Sequence, residues 1–305
     1  MTAFYRIPPA LASNEHQVMK WREAAAYMDA VWRIAEPYLD QHRAESMPRE
    51  GEHALFWEAY LAAALLDRGH VLTPRTKKRI RNAGPDIQIG DVDAWVEAVT
   101  ATRGTGPDAV PEVDLDPRSP AREVPDRKIL LRITYAIDDK WKTYCDYVRK
   151  GWVRSDEPFV IAINGAAAPT ARLESTVPRI VRAVLGIGQL VVTFDVETLR
   201  AVDEHHAAMP QVRKRNGSAI ETVHFRDARY SGISAVVWGT ADVWNRPDYF
   251  GRDLVVVHNP YAANPLPRGW FREGVEFWTD NDETELRWRQ WWKERDADLA
   301  CVRGM

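Results

Sequence analysis

Two acidic residues close together in the sequence could bind a divalent cation. Asp86 precedes a short segment of alternating apolar residues at 87–89, and Glu97 lies near the end of a second apolar segment at 94–99. Both segments are typical of strands, and the Gly-Asp pair between them suits a tight hairpin turn. A hairpin would bring Asp86 beside Glu97, and Mg²⁺ prefers such charged oxygen ligands. In the alternative interpretation, Asp86 caps a turn and Glu97 faces solvent.

The composition is that of an ordinary globular protein. The chain of 305 residues is long enough for one large or two modest domains. Its net charge of −3 gives no global basic field that would indicate nucleic acid, although a local patch could still bind it. Cys145 and Cys301 lack metal-ligand spacing, and the sequence has neither a leader pattern nor a long apolar run. These features predict a cytoplasmic protein that does not enter a membrane.

Hydrophobic periodicity predicts the elements that must position the acids. Helical spacing predicts helices at 14–44 (interrupted by Pro37), 52–69, 129–151, 178–186 and 282–299. Apolar runs predict further strands at 70–72, 159–163, 190–194, 220–225, 233–238 and 254–258, with a polar helix or loop over 196–217 and a long loop over 103–127. The alternation of helices and strands in the first half indicates an α/β core.

The order of these residues resembles the PD-(D/E)XK, or restriction-endonuclease-like, nuclease superfamily. A helix with Glu58 is followed by Gly-Pro-Asp86, then by Trp-Val-Glu97-Ala, then by a helix containing Lys140 and an apolar strand. The similarity covers roughly residues 52–165. The resemblance implies an α/β fold with a central mixed sheet flanked by helices.

Together with the helical patterns near both ends of the chain, the resemblance predicts a domain organisation. An N-terminal helical extension would occupy residues 1–48 and the restriction-endonuclease-like domain residues 49–278. A C-terminal amphipathic helix would follow at 279–305.

The resemblance also implies a chemistry. Asp86 and Glu97 would bind Mg²⁺ (or Mn²⁺), and Glu58 would add a metal contact or orient water. The metal would lower the pKa of the attacking water and neutralise charge in phosphodiester hydrolysis. The substrate would be DNA rather than RNA. Glu58 taken alone is more typical of a solvated helix glutamate.

One position departs from the family pattern. The family lysine that positions the attacking water should lie two residues after Glu97, where this chain has Val99. Lys140 on the following helix is our candidate for a migrated lysine, with Arg103 and Arg132 as weaker substitutes. Alternatively the site has decayed, and the fold serves as a catalytically inactive binding or scaffold module.

Two further groups of residues suggest partners. A basic cluster just before Asp86 is either a solvated surface or a phosphate-binding segment of a nucleic-acid site. Tryptophans concentrated near both ends either pack in the core or form a surface for self-association into a homo-oligomer. The basic cluster comprises Arg75, Lys77, Lys78, Arg79 and Arg81, and the tryptophans are Trp21, Trp32, Trp288, Trp291 and Trp292.

Overall fold

The computed structural model describes residues 15–39, 52–80, 83–113, 123–279 and 286–291. The helices are α1 (Glu15–Ala35), α2 (Glu52–Asp67), α3 (Asp126–Arg149) and α4 (Arg179–Leu185). The strands are β1 (Ile87–Ile89), β2 (Ala94–Thr100), β3 (Phe159–Asn164), β4 (Ile187–Phe194), β5 (Ala201–Ala208), β6 (Gln211–Arg213), β7 (Ala219–Glu221), β8 (Ala235–Gly239), β9 (Val255–His258), β10 (Val275–Trp278) and β11 (Arg287–Gln290).

Seven of these strands form one mixed sheet in the order β1-β2-β3-β8-β9-β10-β11. The hairpin β1–β2 is antiparallel, whereas β2, β3 and β8 run parallel to one another. Helix α3 connects β2 to β3, as a parallel connection requires. The predicted α/β fold with a central mixed sheet flanked by helices is therefore confirmed.

Helices cover both faces of the sheet. On β2, Val96 and Ala98 belong to the apolar core that contains α1 and α2, whereas Trp95 belongs to the core that contains α3 and α4. This alternation follows from the two-residue period of a strand. Alternate residues of β2 therefore face either α1 and α2 or α3 and α4. This alternation determines which helix each side chain of β2 can contact.

The helices that frame the site differ in character. Helix α2 is apolar around most of its circumference and almost wholly buried, and it is followed two residues after its end by Gly69, whose φ of +81° favours glycine. Helix α3 is amphipathic, with a buried stripe that includes Ile133 and Ile137 and with charged residues on its other side. No helix among the described residues is long and apolar enough to cross a membrane.

The N-terminal helix is interrupted at Pro37, as predicted. It ends at Ala35, where a 3₁₀ turn over Glu36–Tyr38 contains Pro37. Its buried residues, including Met28 and Val31, share a core with α2. The segment 15–39 therefore packs against the sheet domain, while the flanking residues 1–14 and 40–51 lie outside the described part of the chain.

The predicted polar helix or loop over 196–217 is wrong. This segment contains β5 and β6, and β5 pairs with β4 in a separate two-stranded sheet. Most residues of β5 are exposed, so the strand lacks the alternation of apolar and polar residues by which we recognise strands. The predicted strand at 220–225 is limited to β7, which pairs with β6.

The predicted C-terminal helix is also wrong where it can be judged. Residues 287–290 form β11, which pairs antiparallel with β10. The backbone of this segment makes its hydrogen bonds to the open edge of the sheet and not within a helix. Trp288 on β11 is 56% exposed, whereas Trp32 is buried in the core near α2. Residues 280–285 and 292–305, with Trp292, lie outside the described residues.

Candidate active site

The β1–β2 hairpin brings the two acids together, as predicted. Ile87 is opposite Val96 in the register, so the residue before β1 lies next to the second half of β2. The Asp86 carboxylate accepts a hydrogen bond of 2.8 Å from the backbone N–H of Ala98. Asp86 therefore lies beside Glu97, and we call these two residues the acid pair.

Helix α3 places Lys140 directly on the acid pair. The Lys140 ammonium donates to Glu97 Oε1 at 2.6 Å, and the Tyr147 hydroxyl donates to Glu97 Oε2 at 3.3 Å. Seven residues separate Lys140 from Tyr147 in the sequence, which puts both on one side of the helix. Glu97 faces this side because it shares the face of β2 that also carries Trp95.

The electrostatics of Glu97 differ from those of an ordinary glutamate. Burial, followed by repulsion from Asp86, raises its pKa to about 7, although Lys140 and Tyr147 act in the opposite direction. The side chain is only 4% exposed. Glu97 therefore keeps its proton to higher pH than an ordinary glutamate does, and a bound cation would favour its charged form.

An open cleft adjoins the acid pair. Its volume is about 320 Å³, and we call it the α2–α3 cleft because both helices contribute to it. Its polar lining comes from α2, from the end of β2 and from α3, namely His53, Glu58, Thr100, Thr102 and Lys140. Lys140 therefore connects Glu97 to a space large enough for a phosphate group. Val99, the position of the family lysine, lines the same cleft.

Glu58 reaches the α2–α3 cleft from the other face of the sheet. It is 3% exposed and belongs to α2, whereas Glu97 faces α3. No group of three or more His, Cys, Asp or Glu side chains among the described residues is arranged to hold a metal ion. Glu58 is thus not gathered with the acid pair into one ligand set, and its predicted metal contact stays a prediction.

The acid pair by itself has donors that fit a hard cation. Two carboxylates in adjacent positions suit Mg²⁺ or Mn²⁺, because Mg²⁺ usually takes one or two carboxylates and completes its octahedron with waters and substrate phosphates. The raised pKa of Glu97, caused by burial and then by repulsion from Asp86, is a second indication, since a cation between the two groups would relieve that repulsion. Asp86 and Glu97 are the residues that could hold such an ion.

Most of the basic cluster makes contacts within the protein. Arg79 binds both carboxylate oxygens of Glu157, at 2.9 and 2.7 Å, and Arg75 donates to a backbone carbonyl. Lys78 donates to the backbone carbonyl of Asp86, so its charge lies next to the acid pair. Lys77 is exposed, and Arg81 lies outside the described residues. Binding of phosphates by this cluster stays a prediction.

Sequence reasoning did not assign a role to three of the residues around the site. Tyr147 could have been found from its helical spacing to Lys140. His53 belongs to the first turn of α2 and gives no signal in the sequence beyond its residue type. Glu157 lies in the turn before β3, and its partner Arg79 is far away in sequence, so only the fold reveals the pair.

Comparisons of this chain with family models, with curated proteins and with solved structures found no match.

Proposed function

We propose that this protein is a Mg²⁺-dependent nuclease that hydrolyses phosphodiester bonds, with DNA as its substrate. The observation that carries the proposal is the position of Glu97, which lies between Asp86 and Lys140 beside an open cleft. A buried carboxylate with a strongly raised pKa, a second acid and a lysine in a cleft is the kind of arrangement found at catalytic sites.

The acid pair would hold the cation in this proposal. A bound Mg²⁺ would lower the pKa of the attacking water and offset the negative charge that develops on the phosphate oxygens. Asp86 is oriented by the N–H of Ala98, and Glu97 is oriented by Tyr147. Both carboxylates therefore keep a defined position before any ligand binds, which lowers the reorganisation needed during the reaction.

Lys140 would supply what Val99 cannot. Its ammonium lies 2.6 Å from Glu97 Oε1 and also lines the α2–α3 cleft. A cation there can hold the attacking water by a hydrogen bond and can stabilise the negative charge of the transition state. This contact favours a lysine that has moved to α3 over a site that has decayed.

The arrangement of the elements supports a restriction-endonuclease-like core. Helix α2, the hairpin β1–β2, helix α3 and strand β3 follow one another in the order on which the family resemblance is based. The acid pair comes from the hairpin and Lys140 from α3, and they meet at one point. The proposal of DNA as substrate follows from this resemblance, and Lys77 and Lys78 are the described members of the basic cluster that we expect near phosphates.

The proposal can be tested by metal binding and cleavage together. Calorimetry with Mg²⁺ and Mn²⁺, and nicking of supercoiled plasmid DNA, would compare the wild-type protein with the double variant Asp86→Asn/Glu97→Gln. We expect both activities in the wild type and neither in the double variant. Glu204→Gln is a matched control, because Glu204 is an exposed glutamate on β5.

Two outcomes would contradict the proposal. If the wild-type protein binds neither ion and leaves DNA and RNA intact, the site is not a nuclease site, and an inactive binding or scaffold module becomes the better explanation. If cleavage persists in the double variant, the activity comes from elsewhere.

A further inference from the structure

His53 has no role in the proposed function so far, although it belongs to the α2–α3 cleft. It is the second residue of α2, it is half-buried, and it lines the cleft together with Glu58 and Lys140. An imidazole ordinarily gains and loses a proton near neutral pH. His53 is thus a titratable group in the cleft into which Lys140 also points.

Phosphodiester hydrolysis needs a proton donor as well as a positioned water. The leaving oxygen of a nucleotide is a poor leaving group as an alkoxide, and a positioned general acid accelerates its departure by about 10²- to 10⁴-fold. Lys140 is engaged with Glu97 on the side of the cleft where the water would be held. A group on another element that lines the same cleft is the candidate for the proton donor, and α2 carries His53 there.

We propose that His53 is the general acid that protonates the leaving oxygen. In this step a water oxygen bonds to phosphorus while the bond from phosphorus to the bridging oxygen breaks. The bridging oxygen keeps the bonding electron pair and takes a proton from the His53 imidazolium. The water releases a proton to solvent, from which His53 is protonated again. This inference rests on the proposed function and adds a catalytic residue to it.

The surroundings of His53 favour it over Glu58 for this role. The charged and titratable groups that line the cleft with it are Glu58 on its own helix and Lys140 on α3, and the remaining polar lining is threonine. Glu58 is 3% exposed, so it has little access to solvent for proton exchange. His53 is half-buried and therefore more accessible to solvent.

A substrate that needs no protonation on leaving tests the inference directly. In oligonucleotides with a bridging sulfur at the 3′ or the 5′ position of the phosphodiester, the leaving group departs as a thiolate. We expect the His53→Ala variant to cleave the natural oligonucleotide about 10²-fold more slowly than the wild type, or slower still. The same variant should cleave one of the sulfur-bridged substrates at close to the wild-type rate. His53→Gln should behave in the same way. His16→Ala is a matched control, since His16 is the exposed second residue of α1.

A second readout does not depend on catalysis. Titration of the metal-free protein with inorganic phosphate, followed by NMR of the His53 ring, should shift its resonances and move its titration to higher pH. If His53→Ala and the wild type cleave the natural oligonucleotide at equal rates, His53 is not the general acid. The same follows if His53→Ala loses equal activity on the natural and the sulfur-bridged oligonucleotides. In both cases the proposed nuclease function stands. A wild-type protein that cleaves neither the natural nor a sulfur-bridged oligonucleotide would overturn both the role of His53 and the proposed function.

Discussion

Two buried glutamates, Glu97 in the middle of β2 and Glu157 in the turn before β3, have different surroundings. Glu157 is 1% exposed and receives hydrogen bonds from the Arg79 guanidinium at 2.9 and 2.7 Å, from Trp95 Nε1 at 3.0 Å and from the N–H of Arg154 at 2.7 Å. Glu97 is 4% exposed, receives hydrogen bonds from Lys140 and Tyr147, and faces a second carboxylate.

The difference separates a structural acid from a candidate catalytic one. Donors from three segments satisfy Glu157, and a bidentate arginine holds it in one position. Glu97 instead has a like charge beside it, which is unfavourable for folding. A ligand between the two carboxylates would relieve this repulsion. The comparison therefore predicts that substitution of Glu97 lowers activity without lowering stability, whereas substitution of Glu157 lowers stability.

The largest effect is expected for activity at Glu97. Glu97→Gln keeps the shape and an acceptor for Tyr147 but removes the charge that would hold the cation. Phosphodiester cleavage should fall by about 10³-fold or more, as expected when an electrostatic contact in the transition state is lost, while thermal stability should be unchanged or higher. A plasmid-nicking assay and thermal melting check this, and a marked loss of stability would mean that Glu97 is structural like Glu157.

Stability should fall most at Glu157. Glu157→Ala leaves the buried Trp95 N–H without an acceptor and leaves Arg79 without its carboxylate. We expect a loss of about 3 kcal/mol in the free energy of unfolding, typical for removing one partner of a buried ion pair. Urea denaturation measures this loss, and Glu112→Ala in an exposed ion pair with Arg103 is the control. A loss no greater than that of the control would show that the Arg79–Glu157 pair does not stabilise the fold.

The site could be anticipated from the sequence where local patterns determine it. Alternation and a Gly-Asp turn predict the β1–β2 hairpin, and the hairpin alone is enough to bring Asp86 beside Glu97. Helical spacing predicts α3, and the family resemblance directs attention to Lys140 on it. These inferences hold because each depends on a few neighbouring residues.

Features that depend on distant partners could not be anticipated. The Arg79–Glu157 pair joins segments that meet only after the sheet forms, so the charge of Arg79 and its position near the acids predict only a solvated surface or a phosphate-binding segment. Strand β11 depends on pairing with β10, and its sequence by itself fits an amphipathic helix. Strand β5 is exposed on both faces, which removes the hydrophobic pattern. In each case tertiary contacts override the local signal.

A smaller loss of activity should follow from Lys140→Ala, with a specific way to rescue it. We expect cleavage to fall by about 10²-fold, as for the loss of one charged donor in an active site. Lys142→Ala is the control, since Lys142 is exposed on the same helix. Val99 lines the same cleft, so adding Val99→Lys to Lys140→Ala should restore part of the rate. Failure of the double variant, together with normal folding, would argue against the interpretation of a migrated lysine.

The pH dependence of stability gives the smallest expected effect. The pKa of Glu97 is raised from 4.5 to about 7 in the folded protein, so between these values the folded state binds more protons than the unfolded state. By linkage, the contribution of Glu97 to stability falls as the pH rises through this window.

Glu97→Gln removes this titration. In metal-free buffer, the variant should therefore gain stability relative to the wild type as the pH rises from 4.5 to 7.5, whereas a Glu204→Gln control should not. Added Mn²⁺ should reverse the order at the upper end, because the ion binds the deprotonated acid pair and stabilises the folded wild-type protein in proportion to its affinity. If the free energies of unfolding of the wild type and Glu97→Gln change in parallel with pH across this range, Glu97 titrates like an ordinary glutamate. The contrast between Glu97 and Glu157 would then lie in their geometry alone.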